Sequence, residues 1–323
     1  MGKGKNKQLL LWLKILVSAV SLAVVFSRSG AGAVIDTLSS INPLFFLSSS
    51  VLYILSIVVS SIRWKLLLVV DDDADTGFSG LTTFRLFKLY MIGSFFNNVL
   101  PGVIGGDAFR IYYLYKDTGR AHLSIGSVFG DRYTGFAGLL LLGVIVLPLG
   151  MRFEGVGEVG MILPVALVVF VVGSLLFVWF RIGRGFRTVG LFYEYFSSLL
   201  RNVKLLFETI GISLLIQIFG IVSVYFISWG LGCRIGLIDL CIILPIVIMI
   251  TTIPVSISGL GIREGAFVFL LGKIGVAPEV ATSISLAWFF SYAVGSLPGL
   301  FYYMRWRKLS GEGFDNFRKE SQD

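Results

Sequence analysis

Three pairings of acid and arginine interrupt long apolar runs: Asp107 with Arg110, Asp131 with Arg132, and Arg263 with Glu264. An arginine at hydrocarbon depth costs at least about 2.5–3.5 kcal/mol on insertion scales, so each demands a partner. That partner is either one of the nearby acids, giving a structural ion pair, or a lipid phosphate held in the two-pronged way a guanidinium favours. Asp107 and Arg110 stand three apart and share a helix face. Arg263 and Glu264 are adjacent and diverge unless a turn bends both inward. Asp107 and Glu264 are also candidate proton carriers.

Two of the pairs sit in proline-led, glycine-rich segments, PGVIGGDAFR at 101–110 and PVSISGLGIREGAF at 254–267. Both run proline, glycine turn, acid, small residue, phenylalanine. The first uses Pro101, Gly105, Gly106, Asp107 and Phe109; the second uses Pro254, Gly259, Gly261, Glu264 and Phe267. A smooth helix does not run through such a break, and irregular backbone at membrane depth is tolerated only where it lines a cavity or is buried in protein. A helix restarting there points unpaired N–H groups and its positive dipole end into the gap, which suits phosphate or carboxylate. Gly105, Gly106, Gly259 and Gly261 either let backbone approach a headgroup or let helices pack closely. Asn98, beside Asn97 just before the first break, is a further candidate headgroup contact.

The elements that must carry these residues follow from composition. The 323 residues are 56% hydrophobic and only 14% charged, with mean hydropathy +0.88, whereas soluble domains are about a quarter charged. Apolar windows long enough to cross about 30 Å of hydrocarbon fall at 9–27, 44–62, 123–149, 159–180, 208–231 and 280–304. The pattern predicts an all-α polytopic membrane protein with six full spans. The broken stretches at 86–115 and 237–271 are expected to be re-entrant helical hairpins. Because one is entered from each side, they predict an inverted-topology repeat, an arrangement that builds transporter sites. Segments 77–90 and 190–207 mix aromatics with charge and read as helices lying in the interface. The transmembrane domain covers 9–304, between a basic tail at 1–8 and a tail at 305–323.

Orientation follows from the 27 basic residues. With the amino terminus inside, 20 fall in inner loops and tails, 4 outside, and Lys14, Arg132 and Arg263 within membrane segments. Basic residues in short loops are retained on the cytoplasmic side, so both termini are expected in the cytoplasm, in an inner or plasma membrane. The net charge of +8 is a topology signal with attraction to anionic lipid, and implies no nucleic-acid partner. Arg63 and Trp64, at an inner span end, read as an interfacial anchor. Cys233, Cys241 and the single His122 offer no metal-ligand spacing, and Asp71–Asp75 lacks the glycine of a calcium loop. No metal or cofactor is expected.

The runs FFNNVLPGVIGGDAFRIYYL at 95–114, DRYTG at 131–135, IPVSISGLGIREGAFVFLL at 253–271 and RW at 63–64 together resemble the lysylphosphatidylglycerol synthetase transmembrane-region family, a group of flippase-like membrane proteins. The resemblance spans roughly 10–305. It implies a stand-alone member without the soluble synthetase domain of bifunctional relatives, so that domain's enzyme activity is not carried over. It points to Pro101, Gly105, Gly106, Asp107, Arg110, Asp131, Arg132, Gly259, Gly261, Arg263 and Glu264 as the substrate-binding set. The activity implied is translocation of an amphipathic lipid between leaflets, and no GxxxxGK[ST] loop is present to cradle ATP. The substrate class is a membrane phospholipid, a polyprenyl-linked lipid or a hopanoid-type lipid. Two rivals stand beside it. One is an intramembrane enzyme acting on polyprenyl phosphates. The other is a non-transporting subunit that recruits a lipid-modifying enzyme or glycosyltransferase.

Overall fold

The computed structural model describes residues 2–71, 81–99, 105–150, 156–181, 187–253, 256 and 259–310. Among them every regular element is helical: α1 (Gly2–Ser29), α2 (Ala31–Ser39), α3 (Pro43–Leu67), α4 (Thr83–Val99), α5 (Gly105–Thr118), α6 (Ala121–Gly150), α7 (Val156–Gly160), α8 (Ile162–Trp179), α9 (Arg187–Arg201), α10 (Val203–Gly230), α11 (Leu237–Thr252), α12 (Ile262–Gly272) and α13 (Pro278–Ser310). Five helices are long and apolar enough to cross a membrane: α3, α6, α7 joined with α8, α10 and α13. A sixth span exists if α1 and α2, bent by 79° at Gly30, count as one. The protein is a multi-pass membrane protein.

Local chemistry sets the helix starts. Asn42 accepts the Leu44 N–H at 2.9 Å just before Pro43, pairing a side-chain cap with proline at a position whose N–H would be unbonded anyway. Asn202 caps α10 the same way through the Leu205 N–H, at 3.1 Å. α8 buries only Leu163 and shows Val165, Val168, Val169 and Leu175 on its exterior. In a chain of this composition that face meets lipid, not water.

The chain repeats one order, span, hairpin, span: α3, α4 with α5, α6; then α10, α11 with α12, α13. The packing repeats with it. α4 lies on α5 as α11 lies on α12, α5 on α6 as α12 on α13, and α3 on α4 as α10 on α11. Across the halves α4 packs on α13 while α11 packs on α6, and α3 meets α10 at the centre. Between α3 and α10 the chain crosses twice, through α6 and α8, so α10 runs antiparallel to α3 and its hairpin opens to the opposite side. At the central seam Ser49 of α3 bonds Ser223 of α10 at 2.5 Å and Ser291 of α13 at 2.8 Å. Small hydroxyls let three helices approach and satisfy one another away from water.

Two sequence expectations change. The segment 77–90 is no separate interfacial helix: α4 starts at Thr83 and runs on as the first limb of the hairpin, with Leu86, Leu89 and Ile92 wholly buried. Segment 190–207 breaks at Asn202, and α9 packs on α6 by setting the Tyr195 ring over Gly126 and Gly130.

Candidate functional site

α6 carries Asp131 and Arg132 side by side, and a helix turns adjacent residues about 100° apart, so they meet different partners. Asp131 is fully buried. Its Oδ1 accepts from Arg63 Nε and Nη2 at 3.0 and 2.8 Å, and its Oδ2 accepts from Arg110 Nη2 and the Tyr90 hydroxyl, both at 2.9 Å. Arg63 is thus no interfacial anchor. It is 4% exposed and donates a third bond, from Nη1, to Ser213 at 2.6 Å. Arg110 lies against the faces of Tyr90 and Trp64, at 3.9 and 4.2 Å from the ring centroids, a cation–π arrangement that offsets part of its desolvation. With Arg63 and Arg110 buried in the protein, the expected loop distribution of basic residues changes from 20 against 4 to 18 against 4.

Arg132 turns the other way. Its Nε and Nη2 donate to Asp107 at 2.9 and 3.1 Å, and its side chain stays 49% exposed. Arg110 also reaches Asp107, at 3.5 Å. Five charges therefore form one network, with guanidinium groups at 63, 110 and 132 facing carboxylates at 107 and 131. One positive charge is left over.

Opposite them, Arg263 and Glu264 pair with each other, because α12 begins at Ile262 after a turn with Gly259 and Gly261 at φ 76° and 83°. Glu264 Oε2 accepts the Gly261 N–H at 2.6 Å, while Oε1 accepts from Arg263 Nη2 at 2.6 Å and from Ser285 at 3.0 Å. Lacking a Cβ, Gly261 adopts its positive φ without the penalty an L side chain would incur, and the same glycine presses against Ser18, Ser21 and Leu22 of α1.

Between the hairpins lies a cavity of about 400 Å³. Of the residues singled out in the sequence, Asn98, Asp107, Arg110, Arg132 and Arg263 line it. Asp131 and Glu264 sit behind the arginines they hold. Gly106 meets the Gly93 backbone so closely that a Cβ would collide with it, and its N–H is taken by Asn97 Oδ1 at 2.8 Å. Gly105 begins α5, Gly259 faces Thr251, and Asn98 donates to Ser296 at 3.2 Å. Pro101 and Pro254 lie outside the described residues.

Sequence reasoning missed the uncharged wall. Tyr53 stacks on Tyr292 at 4.2 Å, and Ser56, Ser60, Ser94, Gln217 and Thr251 add polar atoms. No metal-ligating cluster of three or more His, Cys, Asp or Glu occurs among the described residues, and both cysteines are free. The arrangement is an electropositive chamber inside a helical bundle, with Arg132 exposed to it, able to hold an anion by charge and by guanidinium hydrogen bonds.

Residues 11–299 match the family described as lysylphosphatidylglycerol synthase TM region. Two UPF0104 membrane proteins of Methanothermobacter thermautotrophicus are similar over nearly the whole length. One is 25% identical, covering 85% of this chain and 86% of the relative. The other is 24% identical, covering 84% and 88%. A UPF0104 membrane protein of Methanocaldococcus jannaschii is 32% identical over 104 residues, covering 32% of this chain and 29% of the relative. No solved structure matches.

Proposed function

The chain belongs to the lysylphosphatidylglycerol synthase TM-region family, and from that premise we propose that it moves an anionic amphipathic lipid between leaflets without ATP. The headgroup crosses through the central cavity while the tails stay in hydrocarbon. The protein works in an inner or plasma membrane with both termini in the cytoplasm. The observation that carries the reading is the unbalanced network, three guanidinium groups to two carboxylates, with Arg132 half exposed in the cavity. A closed set of structural ion pairs would balance; this one retains a charge for a ligand, and a phosphate monoanion supplies it. The two hairpins approach from opposite sides, so small movements of either can open the cavity to one leaflet at a time.

The test is made in liposomes. Purified protein should equilibrate a fluorescent phosphatidylglycerol between leaflets with no nucleotide present, read as the fraction accessible to an impermeant quencher. It should release no phosphate from a polyprenyl diphosphate. Phosphate release would move the function to the intramembrane enzyme. Neither activity would leave the recruiting subunit.

A further inference from the structure

A second concavity, about 590 Å³, lies away from the central cavity where the start of α4 meets the end of α13. Its walls are Phe84, Arg85, Lys88, Tyr302, Arg305 and Trp306. Arg85 has its own carboxylate, donating to both oxygens of Asp117 at 2.7 and 2.6 Å, and its guanidinium lies 4.1 Å over the Trp306 ring. Lys88 Nζ sits 4.3 Å from the Phe84 ring centroid and 5.9 Å from that of Tyr302. No carboxylate pairs with Lys88 or Arg305 among the described residues. The pocket therefore holds three cations against one acid.

We infer that this pocket is a peripheral site for the phosphate of an anionic phospholipid headgroup. Lys88 and Arg305 meet the phosphate oxygens, and the rings of Phe84, Tyr302 and Trp306 take the glycerol and upper chain. The aromatic walls favour an amphiphile over a free anion. Trp and Tyr at the end of a span mark the boundary between water and hydrocarbon, and Tyr302, Tyr303 and Trp306 stand beside Arg305 in the last turns of α13. Phe84, Phe301 and Met304 are exposed beside the pocket, a surface that suits acyl chains and ill suits water. Basic pockets between membrane helices bind anionic headgroups by this combination. Lys88 stands six residues before Ser94, which lines the central cavity, so α4 links the two at a rise of about 9 Å. The site is independent of the transport reading, because it is tested by occupancy.

The probe is phospholipid brominated on its acyl chains, in nanodiscs containing the full chain. The readout is Trp306 fluorescence, isolated as the difference between the unaltered protein and Trp306→Phe. Brominated phosphatidylglycerol should quench Trp306 more than brominated phosphatidylcholine does, and Lys88→Gln with Arg305→Gln should each lower that preference about fivefold. Equal quenching by both lipids in the unaltered protein would overturn the site, leaving an aromatic anchor. A preference that survives the double variant would overturn it too, assigning the effect to diffuse surface charge. Inorganic phosphate altering Trp306 where phosphatidylglycerol does not would assign the pocket to a soluble anion. The two-lipid comparison needs no variant at Lys88 or Arg305, so a misfolded mutant does not shelter the inference.

Discussion

α5 and α12 both begin inside the bundle after a glycine-rich break, and both carry an acid in the first turn, yet Asp107 and Glu264 use their oxygens differently. Glu264 caps its own helix through the Gly261 N–H and holds Arg263 with its other oxygen. In the first hairpin the cap comes from outside the helix, where Asn97 takes the Gly106 N–H. Asp107 is thereby released from capping, and both its oxygens reach Arg132 across the cavity edge. A repeated architecture has given one half a self-contained pair and the other an open, unbalanced network. Moving the cap to a different side chain is enough to turn an acid that serves its own helix into one that faces the cavity.

The largest expected effect tests whether the first network holds the fold as well as the cavity. Asp131→Ala leaves Arg63 and Arg110 buried without their shared carboxylate, at a cost on the order of 3–5 kcal/mol. Detergent-solubilised protein should show a large fall in melting temperature, with poor recovery on purification. A melting point close to that of the unaltered chain would mean that water reaches Arg63 and Arg110, and the contrast between a buried Asp131 and an exposed Arg132 would fail.

Much of this division could be read from the sequence, and the reasons are local. Hydropathy marks spans because each is a continuous run, and Pro/Gly clusters mark the breaks because they act on their own backbone. Asp107, Asp131, Arg132, Arg263 and Glu264 stood out as charges in apolar surroundings. Which charge meets which did not, since Arg63 joins Asp131 across 68 residues and nothing beside either announces the other. Arg63 and Trp64 at a span end have the composition of an anchor, and only the packing of α3 on α6 and α10 turns the arginine inward. The Tyr53 and Tyr292 stack and the Ser49, Ser223 and Ser291 contacts were invisible for a similar reason. Such residues are common in membrane helices, and their meaning lies in which helix they face. The bend at Gly30 went unseen because α2 is short.

A middle-sized effect sharpens the comparison of caps. Glu264→Ala removes a cap and also strands Arg263, so it should destabilise by about 1–3 kcal/mol. Asn97→Ala removes a cap alone and should cost about 1 kcal/mol. Changing Arg263→Gln together with Glu264→Gln should recover much of the loss, since the glutamine oxygen still accepts the Gly261 N–H and no charge is left unpaired. Thermal melts of the three variants decide it. If Asn97→Ala proves as damaging as Glu264→Ala, the two acids do not differ in duty as the geometry indicates.

The smallest effect on stability belongs to Arg132→Gln, and it discriminates most sharply between the halves. Its side chain is 49% exposed and faces the cavity, so solvent screens its pair with Asp107, and exposed pairs are worth about 0–1 kcal/mol. Arg110 still approaches Asp107 from the other side, at 3.5 Å, so the carboxylate is not abandoned. The variant should therefore melt within a few degrees of the unaltered protein. Its transport should still fall, because the exchange erases the one excess charge of the network and removes a guanidinium from the lipid phosphate. A charged hydrogen bond is worth about 1.5–3 kcal/mol, so equilibration of phosphatidylglycerol should slow about tenfold or more. Arg132→Lys keeps the charge while losing the fork, and should fall between the two. Full transport by Arg132→Gln in a well-folded protein would place the headgroup elsewhere, and the first hairpin would then be a scaffold like the second.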